Sequence, residues 1–161
     1  MRYVLLDRVT SLERGASLTA LKVFPLTDES LNTMTSFKPT VPPGLLIEAM
    51  AQAGGVLLSA EDREEPSGLV FAKIERATFS KNVCPGQRLQ IRAEVLEPGP
   101  EASRLLSTIT LDGEKIGEMT YFLARRSLQD GVDNVDGEAF KRAHNERGAV
   151  LGVRSFLGGE S

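Results

Sequence analysis

Tryptophan is absent from this chain of 161 residues, and cysteine and histidine occur once each, at Cys84 and His144. A lone cysteine excludes an intrachain disulfide and suits a reducing cytosol. No metal site and no cofactor are expected. Long apolar runs are also missing. The most apolar stretch, 45–58, is interrupted by Glu48 and Gln52 and falls short of the roughly 20 residues a membrane span needs. There is no excess of basic charge either: 19 Lys and Arg stand against 22 Asp and Glu, for a net charge of −3. That balance argues against a nucleic-acid partner, whose phosphates need a basic face, whereas an acidic carrier protein would need only a small basic patch. Met1 runs at once into a strand-like stretch holding Asp7 and Arg8, so no signal peptide is expected. What is present is an ordinary globular composition, 41% hydrophobic and 25% charged. The expectation is a cytoplasmic protein without membrane contact, large enough to bury a core.

The most informative stretch is Val41 to Ala60, VPPGLLIEAMAQAGGVLLSA. Pro42-Pro43-Gly44 marks a helix start, because proline cannot continue a helix from within but suits the turn that enters one. From Leu45 to Leu58 the residues are apolar on nearly every side, which predicts a helix buried all round. Glu48 and Gln52 are four residues apart, about 40° of helical rotation, and so share one face. A carboxylate in such a helix is costly unless it is paired, neutralised or useful, which makes Glu48 the first functional candidate.

Around this helix the pattern is that of strands. Residues 2–9 and 17–24 read as a hairpin turning at Glu13-Arg14-Gly15, with apolar and polar residues alternating in the second arm. Residues 25–40 form a long loop with a possible helical turn over 28–32; loops of that length are often functional. After a charged turn over 61–68, strands are expected near 69–79, 87–97, 102–112 and 115–125. They are separated by Cys84-Pro85-Gly86, by Glu97-Pro98-Gly99-Pro100, and by Asp112-Gly113-Glu114, a short hairpin signal. In 89–95 apolar residues alternate with Gln90, Arg92 and Glu94, as in a sheet with one wet face. The sum is an α+β chain of about six antiparallel strands curled round one helix. Beyond Ser127 the composition becomes polar and Gly-rich, with a short helix expected over 138–147. The chain thus divides into a domain over 1–126 and an extension over 127–161, either mobile or interface-forming.

The stretches RYVLLDRV (2–9), VPPGLLIEAMAQAGGVLL (41–58) and FAKIERATFSKNVCPGQRL (71–89) resemble the β-hydroxyacyl–acyl-carrier-protein dehydratases, which have the hot-dog fold. The helix core of that family, P-G-x-L-x-x-E-A-x-A-Q, is met at Pro43, Gly44, Leu46, Glu48, Ala49, Ala51 and Gln52. The turn V-x-P-G-D is met at Val83, Pro85 and Gly86, with Gln87 in place of the aspartate. The likeness covers about residues 2–126. It implies an active site at a dimer interface, with a helix carboxylate at the position of Glu48 protonating the departing 3-hydroxyl of an acyl thioester. It also implies that amides at the helix start, near Gly44 and Leu45, polarise the thioester carbonyl. The family's second group is a histidine in the loop before the helix. Here that position falls on Thr35 or, in an alternative register, on Ser36, and neither is a base near neutral pH without an activating neighbour.

Each candidate has a plainer reading. Glu48 is either a satisfied buried carboxylate or the acid of the site, and its motif favours the second. Gln52 orients Glu48 or bonds a loop carbonyl. Thr35 and Ser36 stand where a catalytic group is wanted, though ordinary loop polarity also accounts for them. Phe71 and Phe79 are core residues, acyl-tunnel lining, or both. Cys84 reads as structural, His144 as a solvated helix residue, and Lys73, Arg76 and Lys81 as strand charges that either meet an acidic carrier or solvate the sheet. Three functions follow: a dehydratase-like enzyme acting on 3-hydroxyacyl thioesters of acyl-carrier protein or CoA in fatty-acid or related metabolism; an acyl-thioester hydrolase using Glu48; and a non-catalytic acyl-binding subunit of a hetero-oligomer. A single small sheet cannot cover the helix on every side, so a homodimer, or a higher assembly of dimers, is expected.

Overall fold

The computed structural model of the chain describes residues 5–26, 39–60 and 68–126. Among these, β1 (Arg8–Glu13) and β2 (Ser17–Val23) form a hairpin, α1 (Pro43–Ser59) follows, and β3 (Gly68–Phe79), β4 (Arg88–Glu97), β5 (Ala102–Leu111) and β6 (Glu114–Arg126) complete the elements. The strands make a six-stranded sheet in the order β1-β2-β4-β5-β6-β3. Every neighbouring pair is antiparallel. One helix against one curled antiparallel sheet is the architecture the hot-dog resemblance implied.

Alternation explains how the sheet grips the helix. Leu89, Ile91 and Ala93 of β4 are fully buried, whereas Gln90 and Arg92 between them are exposed. Register carries one row across the whole sheet: Val9, Ala20, Ile91, Ile109, Gly117 and Phe79 stand opposite one another in turn. A Cβ at Gly117 would come within 2.6 Å of the Phe79 ring, so the glycine is what lets that ring lie across β6. The β5–β6 turn is the expected Asp-Gly pair, with Asp112 at φ 52° and Gly113 at φ 83°, both on the left-handed side that a two-residue hairpin requires.

Two expectations are corrected. The first strand is not 2–9: it begins at Arg8 and continues through polar Thr10 and Ser11, so the turn falls at 14–16, with Gly15 at φ 70°. Leu5 and Leu6 are buried all the same. The residues just before the strand are held by Asp7, whose carboxylate accepts from the Val23 amide and pairs with the nearly buried Lys22 at 3.0 Å. Second, α1 is not buried all round. It lies mainly over β2, β4 and β5. A single sheet covers only the side it faces, so Leu46, Ala49, Met50, Ala53 and Leu57 are buried while Glu48 is exposed and Gln52, Gly55 and Ser59 are half-buried. One stripe of the helix is therefore left open. On the same side of the sheet, edge strand β3 presents Phe71 and Ile74, which are 37% and 39% exposed.

Candidate functional site

The open stripe brings the helix residues of the expected site together. Glu48 is exposed rather than buried, because its face of the helix turns away from the sheet. The cost expected of a carboxylate in this helix is therefore not incurred within one chain. Gln52, one turn on, donates from Nε2 to Glu48 Oε1 at 2.9 Å. Its own Oε1 accepts the Leu5 amide at 2.8 Å. The carboxylate is thus tied through one carboxamide to the segment that leads into β1, a link between residues 47 apart in sequence.

The helix start lies on the same open side. Pro42 caps α1 without a side-chain hydrogen bond, and no acidic residue occupies the first turn. Gly44 is exposed, and a Cβ there would meet nothing within 4 Å. Leu45 is half-buried and its amide is turned back to the Pro42 carbonyl at 3.0 Å. The Gly44 end of the helix is therefore open to an electron-rich oxygen, which the helix dipole would favour.

The loop that enters the helix is anchored at both feet by one turn. Gly86, at φ 85°, donates its amide to the Phe24 carbonyl at 2.8 Å, and Val41 donates to the Val83 carbonyl at 2.7 Å. Gln87 closes the turn by accepting the Cys84 amide at 2.7 Å. The V-C-P-G-Q stretch therefore clamps the two ends of the segment that carries Thr35 and Ser36. Those two residues, with the possible helical turn at 28–32, His144 and the extension over 127–161, lie outside the described residues.

Of the two phenylalanines, Phe79 is half-buried against Gly117, whereas Phe71 lies at the sheet edge with its ring stacked on Tyr121, 5.6 Å between centroids and 13° between planes. Cys84 is exposed in the clamp turn. Lys81 pairs with Glu114, and Arg104 joins Glu75 and Glu97 on the outer face of the sheet. Those two carboxylates hold the Arg104 guanidinium above its usual range.

One polar cluster went unread in the sequence. Tyr121 is fully buried; its Oη donates to the Met50 carbonyl at 3.0 Å and lies 2.9 Å from Ser107 Oγ, which reaches the same carbonyl at 3.3 Å. Burial pushes the phenol well above its usual range, and the hydrogen bonds to Ser107 and to the backbone at Gly54 only partly offset this. The sequence offers a tyrosine in an alternating strand and a Gly54-Gly55 pair in the helix, but nothing local joins Tyr121 to Gly54.

The comparisons with known proteins follow this geometry. Residues 2–120 match the family of FabA-like domains. A 3-hydroxyacyl–acyl-carrier-protein dehydratase FabZ from Campylobacter fetus subsp. fetus is 38% identical over 102 residues, 59% of this chain and 68% of the relative. Among solved structures, the dehydratase heterocomplex ApeI:P from Xenorhabdus doucetiae superposes with a TM-score of 0.67 at 18% identity, over 79% of this chain and 86% of that one. A hypothetical thioesterase with coenzyme A from Streptococcus pneumoniae superposes at 0.58 and 14% identity, over 74% and 85%. At these identities the two structures speak for the fold alone.

Proposed function

The chain belongs to the FabA-like domain family, and from that membership we propose a dehydratase-like enzyme acting on 3-hydroxyacyl thioesters. The acyl group is carried on an acyl-carrier protein or CoA, in fatty-acid or related acyl-chain metabolism of the cytoplasm. The observation that carries the reading is Glu48, exposed on the open stripe of the central helix and held there by Gln52. In the proposed reaction the thioester carbonyl oxygen lies at the Gly44 end of α1, where the helix dipole favours the negative charge that develops on it. The Glu48 carboxylate takes the C2 proton and returns it to the 3-hydroxyl, which leaves as water. The electron pair of the C2–H bond becomes the new C2–C3 double bond. One carboxylate serves as base and then as acid, because the chain's single histidine, His144, lies outside the loop that precedes the helix. Thr35 and Ser36 remain the loop positions from which a second group would act.

The site is completed by a second copy of the chain. Edge strand β3 leaves Phe71 and Ile74 exposed on the helix side of the sheet, and an apolar edge of this kind is a template for strand pairing. Pairing β3 with β3 of a partner would merge two sheets and cover Glu48.

The test is incubation with a 3-hydroxyacyl thioester, followed by enoyl absorbance. Turnover is expected, with a loss of about a hundredfold or more in Glu48→Gln; turnover indifferent to Glu48→Gln would refute the assignment. The absent loop histidine also favours a second reading, hydrolysis, in which Glu48 activates water against the thioester. Release of free thiol without enoyl product, abolished by Glu48→Ala, would select it. If neither product forms and the chain co-purifies with a second hot-dog chain that carries the histidine, the role is that of an acyl-binding subunit.

A further inference from the structure

We propose that Asp7 is a positioning residue of the site, acting on Glu48 through the Leu5 amide and Gln52; the inference rests on the acyl-thioester reading above. Asp7 lies where the hairpin ladder stops. Its amide donates to the Leu21 carbonyl at 2.9 Å, in line with the pairing of β1 and β2. One step further, an antiparallel ladder would join the Val23 amide to the carbonyl of Leu5. Here the Asp7 side chain takes that amide instead, at 2.6 Å on Oδ2. The backbone at Leu5 is thereby released from β2, and its amide crosses to Gln52 Oε1 at 2.8 Å. Gln52 Nε2 in turn holds Glu48 Oε1 at 2.9 Å. Leu5 and Asp7 are two residues apart, at most about 7 Å of chain, so a displacement at Asp7 reaches Gln52 with little slack.

The other carboxylate oxygen is also fixed. Oδ1 pairs with Lys22 Nζ at 3.0 Å, and the Lys22 side chain is 8% exposed. Lys22 lies on the helix side of β2, two residues from the buried Ala20 and opposite the fully buried Leu89. Its Nζ stands 4.9 Å from the centre of the Phe24 ring. Desolvation of such a lysine offsets much of its attraction to a carboxylate, so the pair adds little stability. Its effect is to hold the Asp7 side chain in one place. Phe24, two residues on, gives its carbonyl to the Gly86 amide of the clamp turn. The Asp7–Lys22 pair thus stands between the support of Glu48 and the clamp on the loop that enters the helix.

The experiment is steady-state kinetics on a 3-hydroxyacyl thioester, with product read as enoyl or as free thiol. The variants are Asp7→Ala and Lys22→Met, each alone and combined with Gln52→Ala. Asp7→Ala should lower kcat about tenfold, within the roughly hundredfold that a misplaced group can cost, and leave KM nearly unchanged. Lys22→Met keeps the Val23 bond and strands no buried charge, so it should lower kcat less, by about threefold. If Asp7→Ala does not fold, Lys22→Met decides alone. In the Gln52→Ala background neither substitution should lower kcat further, because the link through which they act is gone. The same loss in both backgrounds would mark a general loosening of the fold and overturn the inference. Unchanged kcat in every folded variant, or a change confined to KM, would overturn it too. Each of these results leaves the acyl-thioester reading standing. Absence of turnover in the unmodified protein would overturn both.

Discussion

Gln52 divides its carboxamide between two tasks: its nitrogen holds Glu48 at 2.9 Å and its oxygen holds the Leu5 amide at 2.8 Å. If it positions the carboxylate, Gln52→Ala should lower kcat by about a hundredfold, the scale of a misplaced catalytic group. KM should change little, because the amides at the helix start are untouched. Steady-state kinetics decide it: a change confined to KM would make Gln52 a substrate contact instead. Tyr121 makes a prediction in alkali. An ordinary phenol ionises near pH 10, and burial raises this one in the folded chain. Below about pH 10 both folded and unfolded chains keep the proton, and the contribution of the buried phenol to stability is fully present. At higher pH the unfolded chain releases the proton while the folded chain retains it, so stability falls as pH rises toward the folded value. Denaturant midpoints measured on either side of pH 10 should therefore fall less steeply in Tyr121→Phe, which should also be less stable at neutral pH by about 1–2 kcal/mol for the lost hydrogen bonds.

The central helix shows how neighbouring residues of one type do different work. Gly54 faces the sheet, with Tyr121 Oη 2.1 Å and Leu105 Cδ2 3.0 Å from where its Cβ would stand; a Cβ at Gly55 meets nothing within 4 Å. Alanine favours a helix over glycine by about 1 kcal/mol, whereas overpacking a close contact costs about 1–3 kcal/mol. At position 54 overpacking wins, and Gly54→Ala should destabilise. Introducing Tyr121→Phe in the same protein removes the nearest atom, so the pair should cost less than the sum of the single changes. A double-mutant cycle by urea unfolding checks this; strict additivity would mean that the phenol is not what constrains the helix. Such a role was not readable in advance, because both glycines sit in the same apolar run and only the sheet beneath separates them. The strands were more legible. Leu89, Ile91, Ala93 and the Asp112-Gly113 turn announce themselves by local period and local backbone demand. The first strand was misjudged because RYVLLDRV has the composition of a strand, whereas the pairing of β1 with β2 runs from Arg8 to Glu13, behind the anchor at Asp7.

At the scale of the whole molecule, one chain leaves the edge of β3 and one stripe of α1 exposed, and the proposed dimer closes both. Ile74→Asp puts a charge on that edge on the side of the helix, 39% exposed in one chain. The protein should shift from dimer to monomer by size-exclusion chromatography with light scattering and lose turnover with it. A dimer that survives the substitution with full activity would move the interface elsewhere. By itself the sequence determined the order of the elements among the described residues, the start of the helix at Pro43, the pairing of Glu48 with Gln52 on one face, and the family. These depend on period, turn chemistry and motif, which are properties of residues close together along the chain. Only the tertiary structure decided that Glu48 faces outward, that one turn at Val83–Gln87 clamps both feet of the entering loop, and that Tyr121 meets Ser107 and the Met50 carbonyl beneath Gly54. Tyr121 and Met50 are 71 residues apart; contacts over such distances are settled by how helix and sheet pack, and no local pattern records them.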